Sequence, residues 1–375
     1  MGVQIPPSAP SGIYIDFPFC IARCAFCAFN IQGMREGLSQ RYLAALQKEI
    51  VLQGESGQLN NRDIVSLYLG GGTPTLHTPE TLNEIISRAR SYFYFREDAE
   101  ITIEAHPKTI NTKFLTAILS GGINRLSIGM QSFSDEILTF LGRHHTANDA
   151  ILAFHAARDA GFQNISIDLI YALPGESLSD WEKTLQTAID LNPDHLSIYG
   201  LTIEEGTLFY KNGVSAASEE EQITQYQFAQ SALSSAGFHQ YEISNFSKTG
   251  FACKHNLLYW DRVETLGIGL SAHSYLNHAH QENTDSLFSY CKQVESGKIP
   301  ISHIRKINQD EIQTDRIIFG LRKREGIKKS YLHDDQQEKI VELLIKEGLL
   351  VEEEDRIRLT SHGMLLADYV AEAFL

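Results

Sequence analysis

Short apolar runs with the alternation of β-strands recur along the first half of the chain, and segments with a helical repeat separate them. Six such runs predict strands, at 12–17, 64–70, 100–107, 124–133, 164–175 and 195–203. In one intervening segment Leu43, Leu46 and Ile50 recur at helical spacing. Strand–helix units with short connections indicate parallel strands joined by right-handed crossovers. The pattern therefore predicts an α/β fold built as a partial (β/α)6 barrel.

The regular alternation of strand-like and helix-like segments ends near residue 205. The segment 240–246 predicts a further strand at the barrel edge, and the last part reads as two helices and two short strands around an acidic turn at 352–355. This end resembles a winged helix, but acidic residues at the turn do not suit a nucleic-acid ligand. We expect a barrel at 1–240, an extension at 241–307 and a C-terminal α+β module, winged-helix-like, at 308–375.

Composition restricts the classes of partner. The 375 residues are 43% apolar and 21% charged, as in a soluble globular protein. With 32 basic and 47 acidic residues the net charge is -15, which disfavours nucleic acid and anionic lipid surfaces. Residues 1–12 lack the features of a signal peptide, and no run is long enough to span a membrane. We expect a cytoplasmic location.

Three of the five cysteines lie close together directly after the first predicted strand. Cys20, Cys24 and Cys27 have the spacing C-x3-C-x2-C. Zinc sites usually take four ligands, and one disulfide would leave a thiol over. A cubane iron–sulfur cluster held by three thiolates would have one open iron for a small molecule. Three cysteines that merely pack in a core are the alternative.

This spacing resembles that of the radical SAM family, and the resemblance covers the first two-thirds of the chain. It implies that the three cysteines hold a [4Fe-4S] cluster and that the open iron binds S-adenosylmethionine. Phe26, directly before Cys27, matches an aromatic residue that shields the cluster and the adenine in that family.

Further positions at the strand ends match the family's S-adenosylmethionine site. The segment 69–75 carries three consecutive glycines, whose backbone can approach a ligand closely. Glu104 ends an apolar run, and a buried carboxylate needs a partner. A plain turn and ordinary strand ends are the alternatives. The resemblance implies these cofactor-binding residues: Tyr14, Phe26, Gly70, Gly71, Gly72, Thr73, Glu104, Gln131, Arg143 and Asp168.

A closer resemblance is to the oxygen-independent coproporphyrinogen III oxidase family. It rests on segments such as 12–20, 67–75, 124–133, 168–177 and 240–246. The family contains an oxidase, which decarboxylates two propionates of a haem precursor, and a haem-binding chaperone. In the oxidase a fourth cysteine follows two residues after the third, where this chain has Phe29. The oxidase also has a longer segment before the cluster than the 19 residues found here.

Both differences favour the chaperone class. The leading hypothesis is therefore a carrier that holds a [4Fe-4S] cluster and S-adenosylmethionine and transfers haem to apo-haemoproteins, soluble or membrane-bound. The alternative is an oxidase, or another radical activity on a porphyrin precursor, which would need an electron donor. A barrel that binds S-adenosylmethionine without cleaving it is a third hypothesis.

The segment 255–260 matches an H-N-x2-Y-W pattern of the chaperone class. The resemblance makes His255 the candidate ligand of haem iron, since neutral imidazole is a common axial ligand. Tyr259 and Trp260 would stack on the macrocycle, and Cys253 is a weaker candidate for a second ligand. A core turn is the alternative interpretation.

Four positions depart from the family pattern. Asp16 stands where the family usually has histidine, and His106 replaces asparagine. Ala172 and Leu270 replace glycine and proline. The change at position 16 alters charge and hydrogen bonding near the expected cluster.

Overall fold

The structure is a computed structural model that describes residues 9–375. The first eight residues, which hold most of the segment considered for targeting, lie outside the described part. The strands are β1 (Ala9–Phe17), β2 (Phe19–Cys20), β3 (Gln32–Gly33), β4 (Arg62–Gly71), β5 (Phe95–Ala105), β6 (Arg125–Gln131), β7 (Ile165–Tyr171), β8 (His195–Gly200), β9 (His239–Gln240), β10 (Asn245–Ser247), β11 (Thr265–Ile268), β12 (His273–Leu276), β13 (Ala279–Asn283), β14 (Ile301–Lys306), β15 (Ile327–Lys328), β16 (Leu350–Glu353) and β17 (Arg356–Leu359).

The helices lie between these strands and after the last of them. They are α1 (Glu36–Glu55), α2 (Pro79–Tyr92), α3 (Thr112–Ser120), α4 (Asp135–Phe140), α5 (Ala147–Asp159), α6 (Leu178–Asp190), α7 (Leu208–Lys211), α8 (Glu219–Ser235), α9 (Lys254–Trp260), α10 (Leu287–Glu295), α11 (Gln309–Leu321), α12 (Asp335–Lys346), α13 (Ser361–Leu365) and α14 (Ala367–Glu372). Short 3-10 turns occur at Pro74–Leu76, Pro107–Thr109 and Lys329–Tyr331.

One twelve-stranded sheet forms the body of the protein, in the order β14-β13-β12-β11-β1-β4-β5-β6-β7-β8-β10-β9. The neighbours from β11 to β8 pair in parallel, and the strands outside them pair antiparallel. The two edge strands, β14 and β9, are not paired with each other, so the barrel is open. The predicted partial barrel of six strand–helix units is confirmed. The single edge strand predicted at 240–246 is instead two short strands, β9 and β10, which pair with each other, and β10 joins the barrel edge beside β8. A seventh parallel strand, β11, joins the other side of β1.

The barrel strands are apolar on the side covered by helices and polar on the inner side. In β6 the apolar Leu126, Ile128 and Met130 are fully buried, and the alternate positions from Arg125 to Gln131 line an interior cavity. Side chains alternate between the faces of a strand, so a barrel whose strands are buried on both sides can still have a polar interior. This division places the polar residues of the site.

Helix α9 lies at the amino-terminal end of the barrel, just before β11. The carboxylate of Glu100 accepts hydrogen bonds from the backbone N–H groups of Lys254 (3.2 Å) and His255 (3.3 Å). These are free donors at the first turn of the helix, where a negative charge is stabilising. Glu100 therefore anchors α9 to β5.

The end of the chain is an α+β region. Strands β15, β17 and β16 form a small antiparallel sheet, and helices α11 to α14 flank it in sequence. Its acidic turn lies between β16 and β17. None of the helices within residues 9–375 is long and apolar enough to cross a membrane.

Candidate functional site

The carboxyl ends of the barrel strands open into a cavity of about 410 Å³. Parallel α/β folds bind ligands at this end. The predicted site residues on the cavity wall are Cys20, Cys24, Phe26, Cys27, Gly71, Gly72, Thr73, Glu104, Gln131, Arg143 and Asp168. Tyr14, Gly70 and His255 do not line it. The structure thus brings together eleven of the fourteen predicted residues around one space.

The three clustered cysteines lie in a loop whose base is closed by pairing of β2 with β3. All three thiols are free and partly exposed. Thr73 Oγ1 donates a hydrogen bond to Cys20 Sγ, and Arg143 Nη1 donates one to Cys24 Sγ, each at 3.5 Å. Burial raises the pKa of Cys20 to about 11. The loop therefore holds three free thiols, and side-chain donors are already directed at the sulfurs of two of them.

The arrangement of these thiols suits a cluster better than a single ion. Within residues 9–375 no three His, Cys, Asp or Glu side chains converge where one metal ion could be held. A zinc ion needs ligands that meet at one point, at about 2.3 Å for sulfur. A cubane cluster takes its thiolates at separate corners, so three spaced thiols around a cavity fit it.

The glycine turn after β4 has no room for side chains. Gly71 has φ +98°, and a Cβ on it would collide with the carboxylate of Asp16. A Cβ on Gly72 would lie 2.6 Å from the carbonyl oxygens of Phe17 and Phe19, because the turn is bonded tightly to β1 and β2. Glycine is required at both positions to bring the backbone to the cavity wall.

Glu104 is a partly buried carboxylate at the end of β5. Its Oε1 accepts from Tyr68 OH at 2.9 Å, and its Oε2 accepts from Gly71 N at 3.1 Å. Burial, followed by the nearby Asp168, raises the pKa of Glu104 to about 7. Burial and Glu104 also raise the pKa of Asp16 well above its ordinary value. The wall therefore concentrates acidic groups that a hydroxyl or a cation would satisfy.

Asp168 lies opposite, on β7. Ser127 Oγ donates to its Oδ2 at 2.8 Å, and Ser166 Oγ donates to its Oδ1 at 3.0 Å. Burial raises its pKa. Gln131 lies where the register of β6 against β7 shifts, and its φ of +69° is in the left-handed region. The bulge directs the end of β6 to the cavity.

Arg143 connects the cysteine loop to the barrel. Its Nη2 donates to the carbonyl oxygen of Gly129 at 2.6 Å, while Nη1 contacts Cys24. Its Nε has no hydrogen-bond partner among the described residues. A guanidinium with a free N–H on the cavity wall suits a carboxylate ligand.

Tyr14 and Gly70 lie behind the wall. The Tyr14 ring stacks on Tyr68, with centroids 6.0 Å apart. A Cβ on Gly70 would come within 3.1 Å of the Glu104 carboxyl group. Both residues position Tyr68 and Glu104 rather than line the cavity.

His255 is buried in α9, with only 1% of its surface exposed. Its Nδ1 lies 2.6 Å from Ser66 Oγ and its Nε2 lies 2.9 Å from Tyr259 OH. Burial lowers its pKa to about 3, so the ring is neutral. Trp260 stacks against Phe319, with centroids 6.2 Å apart. In this conformation both imidazole nitrogens bond to protein groups.

The remaining motif residues lie near these groups. Cys253 is buried and its Sγ lies 3.5 Å from the Glu100 carboxylate. Phe29 lines the cavity at its rim with 64% of its surface exposed. His106 also lines the cavity; its Nδ1 accepts from Lys108 N at 3.2 Å, which leaves Nε2 as the protonated nitrogen.

Several cavity residues were not predicted from the sequence, among them Arg125, Tyr199 and Asn256. Arg125 could have been singled out from the sequence, because it lies at the start of the apolar strand segment 124–133. Burying a charge in such a strand costs free energy unless the charge is paired or binds a ligand. Asn256 belongs to the H-N-x2-Y-W pattern, which by itself does not place it on a cavity wall. Tyr199 gave no signal beyond a strand-forming aromatic.

Comparison with known proteins agrees with this geometry. The sequence profile of the radical SAM superfamily matches residues 14–188, and that of the HemN C-terminal domain matches residues 307–366. The structure is similar to coproporphyrinogen III oxidase (HemN) from Escherichia coli, a radical SAM enzyme, with a TM-score of 0.84 and 26% identity over 98% of this chain and 90% of that one. The chain belongs to the radical SAM superfamily.

Comparison with individual proteins identifies the family within this superfamily. The protein named heme chaperone HemW of Mycobacterium tuberculosis is 33% identical over 100% of this chain and 97% of its own. HemW of Bacillus subtilis is 32% identical over 96% of this chain and 98% of its own, and HemW of Escherichia coli is 30% identical over 100% and 99%. Within the superfamily the chain belongs to the HemW family.

Proposed function

We propose that this protein is a haem chaperone that carries a [4Fe-4S] cluster and S-adenosylmethionine and transfers haem to apo-haemoproteins. The observation that carries the proposal is the full-length similarity to relatives named heme chaperone HemW. Phe29, in place of the oxidase's fourth cysteine, supports the same assignment.

In this proposal Cys20, Cys24 and Cys27 hold the cluster, which when bound supplies an electron to its ligand. Their placement on one cavity wall supports the assignment. Thr73 and Arg143 contribute hydrogen bonds to two of the sulfurs, which stabilises the thiolate form that metal binding requires.

S-adenosylmethionine occupies the cavity beside the cluster. The backbone of the glycine turn at 70–73 binds its amino end, Arg143 its carboxylate, and the acceptors Glu104 and Asp168 its hydroxyl or cationic groups. Gln131 adds an amide at the end of β6, and Phe26 covers the adenine. Tyr14 contributes by stacking behind the wall.

His255 is the proposed haem-iron ligand. Because Nε2 bonds to Tyr259, ligation requires that tyrosine to leave its present position. Tyr259 lies on α9 with 38% of its surface exposed, so a movement of its side chain opens one nitrogen of His255 without unfolding the barrel.

The partners in the proposal are acceptor apo-haemoproteins, soluble or membrane-bound, and an electron donor if S-adenosylmethionine is cleaved. A cytoplasmic location belongs to the same proposal, and five free cysteines support it because disulfides are rare in that compartment. The division into regions at 1–240, 241–307 and 308–375 remains a prediction that limited proteolysis tests.

The second candidate function is the decarboxylation of coproporphyrinogen III. The close structural similarity to the Escherichia coli oxidase favours it. Its test is product analysis after anaerobic reconstitution with S-adenosylmethionine and a reductant. Two decarboxylations per porphyrinogen would overturn the chaperone assignment.

The first experiment is an anaerobic haem titration of the reconstituted protein, followed at the Soret band, with His255→Ala in parallel. A saturable one-to-one shift that is retained when apo-haemoprotein is absent and lost when it is added supports a carrier. Absence of saturable binding in the wild type would refute the chaperone function.

A further inference from the structure

Arg125 is a charged side chain buried inside the barrel. It begins β6, and only 2% of its surface is exposed. That surface belongs to the cavity, because Arg125 is among the residues that line it. A cation is thus held at the floor of the proposed S-adenosylmethionine site, far from bulk water.

The guanidinium has no direct partner. No hydrogen bond or ion pair joins it to another residue of the 9–375 region, and its Nε is fully buried without an acceptor. Buried arginines are normally paired, since an isolated charge in a protein interior is costly. The negative charges that offset this cost must therefore lie nearby without bonding to the guanidinium, or belong to a ligand in the cavity.

The charges around it are acidic. Glu104 and Asp168, on the strands that flank β6, line the same cavity. Ser127, the next inward residue of β6, pairs with Glu104 in the sheet and donates to Asp168. Glu100 adds a third carboxylate at the lower end, where it caps α9. Two arginines line the cavity: Arg143 is bonded to Cys24 and Gly129 near the cysteine loop, whereas Arg125 lies unbonded among these three carboxylates.

We propose that Arg125 is a positioning residue that keeps Glu104 and Asp168 ionised at the cavity floor, so that both remain acceptors for S-adenosylmethionine. This inference rests on the proposed binding of that cofactor. Two buried carboxylates close together favour protonation of one of them, and a central cation opposes this. A protonated carboxyl group would turn one acceptor into a donor.

The other groups that face Glu104 do not supply this charge. Tyr14 and Asp16 of β1, Tyr68 of β4 and Tyr199 of β8 are neutral or acidic, and Tyr259 of α9 is neutral. Burial raises the pKa of Glu104, and Arg125 acts against that rise. Because the carboxylates interact, their titration belongs to the group rather than to one residue.

The test measures the affinity of cluster-loaded protein for S-adenosylmethionine between pH 6 and 9, by equilibrium dialysis. In the wild type, affinity falls on the acid side as the carboxylates protonate. In Arg125→Gln, which keeps N–H donors but loses the charge, we expect the midpoint of that fall to move upward by about one pH unit. In Arg125→Lys, which keeps the charge, the midpoint stays near the wild-type value.

Two further variants distinguish the effect of losing this particular charge from a general loss of stability or folding. Arg158→Gln removes a guanidinium paired with Asp194 at 2.7 Å, away from the cavity, and is expected to leave the midpoint unchanged. If Arg125→Gln does not fold, Arg125→Met, which is also neutral but buries no unpaired polar group, carries the same test.

The outcomes are distinct. An unchanged midpoint in Arg125→Gln, or in Arg125→Met where that variant replaces it, overturns the role of Arg125, whatever happens to affinity at a single pH. Equal shifts in Arg125→Gln and Arg125→Lys also overturn it, because they would make the effect one of shape. Wild-type protein that binds no S-adenosylmethionine at any pH refutes the proposed cofactor instead.

Discussion

The hydroxyl of Tyr259 lies 2.9 Å from Nε2 of His255, one turn away on the same helix. Since Ser66 occupies the other ring nitrogen, the imidazole is bonded on both sides within the protein. A haem iron that binds this histidine must replace one of these partners. The exposed tyrosine is the partner that can move without disturbing the sheet.

Removing that hydroxyl should therefore favour haem binding. Tyr259→Phe keeps the ring but frees Nε2, and one neutral hydrogen bond is worth about 1 kcal/mol, roughly a five-fold gain in affinity. An anaerobic Soret titration measures it, with His255→Ala as the matched loss-of-ligand variant. Unchanged haem affinity in both variants would show that His255 is a structural residue of α9.

Loss of one clustered thiol should abolish the cluster. In Cys24→Ala only two thiolates remain in the loop, and within residues 9–375 no other cysteine lines the cavity. We expect reconstituted protein to lose its broad visible absorbance and its bound iron, while its far-UV circular dichroism is kept. Cys291→Ala, which changes a buried thiol in α10, is the control. A full [4Fe-4S] spectrum in Cys24→Ala would refute the three-ligand assignment.

The barrel could be predicted because its signal is local. Each of the six strands contains an apolar run that is visible in the local sequence, and helical repeats fill the gaps between them. Strand β11 was not predicted, because its four residues, Thr265–Ile268, contain a glycine and no long apolar run. Its place beside β1 depends on tertiary pairing, which a local pattern does not contain.

The site was predictable where a residue type had few other uses. Three spaced cysteines and three consecutive glycines are rare in a plain scaffold. Arg125 was missed because only the three-dimensional structure shows that its side chain reaches the cavity and lacks a partner. The hydrogen-bond partners of His255 could not be predicted either, because one of them, Ser66, is 189 residues away in sequence.

The glycine turn should not tolerate a side chain. Gly71→Ala must adopt a φ of +98° and place its Cβ against the Asp16 carboxylate. We expect a stability loss of roughly 2–4 kcal/mol and a loss of S-adenosylmethionine affinity of at least ten-fold. Thermal unfolding and equilibrium dialysis measure the two effects.

The matched control for this turn is Gly206→Ala. Its φ is +85°, but nothing lies within 4 Å of the added Cβ, so it tests the backbone cost alone. If both variants lose the same stability and both bind S-adenosylmethionine like the wild type, close approach of the turn to the ligand is not needed.

Glu176 should make the free energy of unfolding fall as the pH rises from about 5 to about 8. It lies in the turn after β7 with 7% of its surface exposed, and neither carboxylate oxygen has a partner among the described residues. Burial raises its pKa to about 8.

A carboxyl group with a raised folded-state pKa contributes full stability below its unfolded pKa of about 4.5, and this contribution is lost as the pH rises through the folded-state pKa. Glu176→Gln does not titrate, so its stability relative to the wild type should increase by about 4 kcal/mol between pH 5 and 9. Urea unfolding at both pH values measures the difference, with the exposed Glu342→Gln as control. A difference that does not change with pH would show that Glu176 is ionised and solvated in the folded protein.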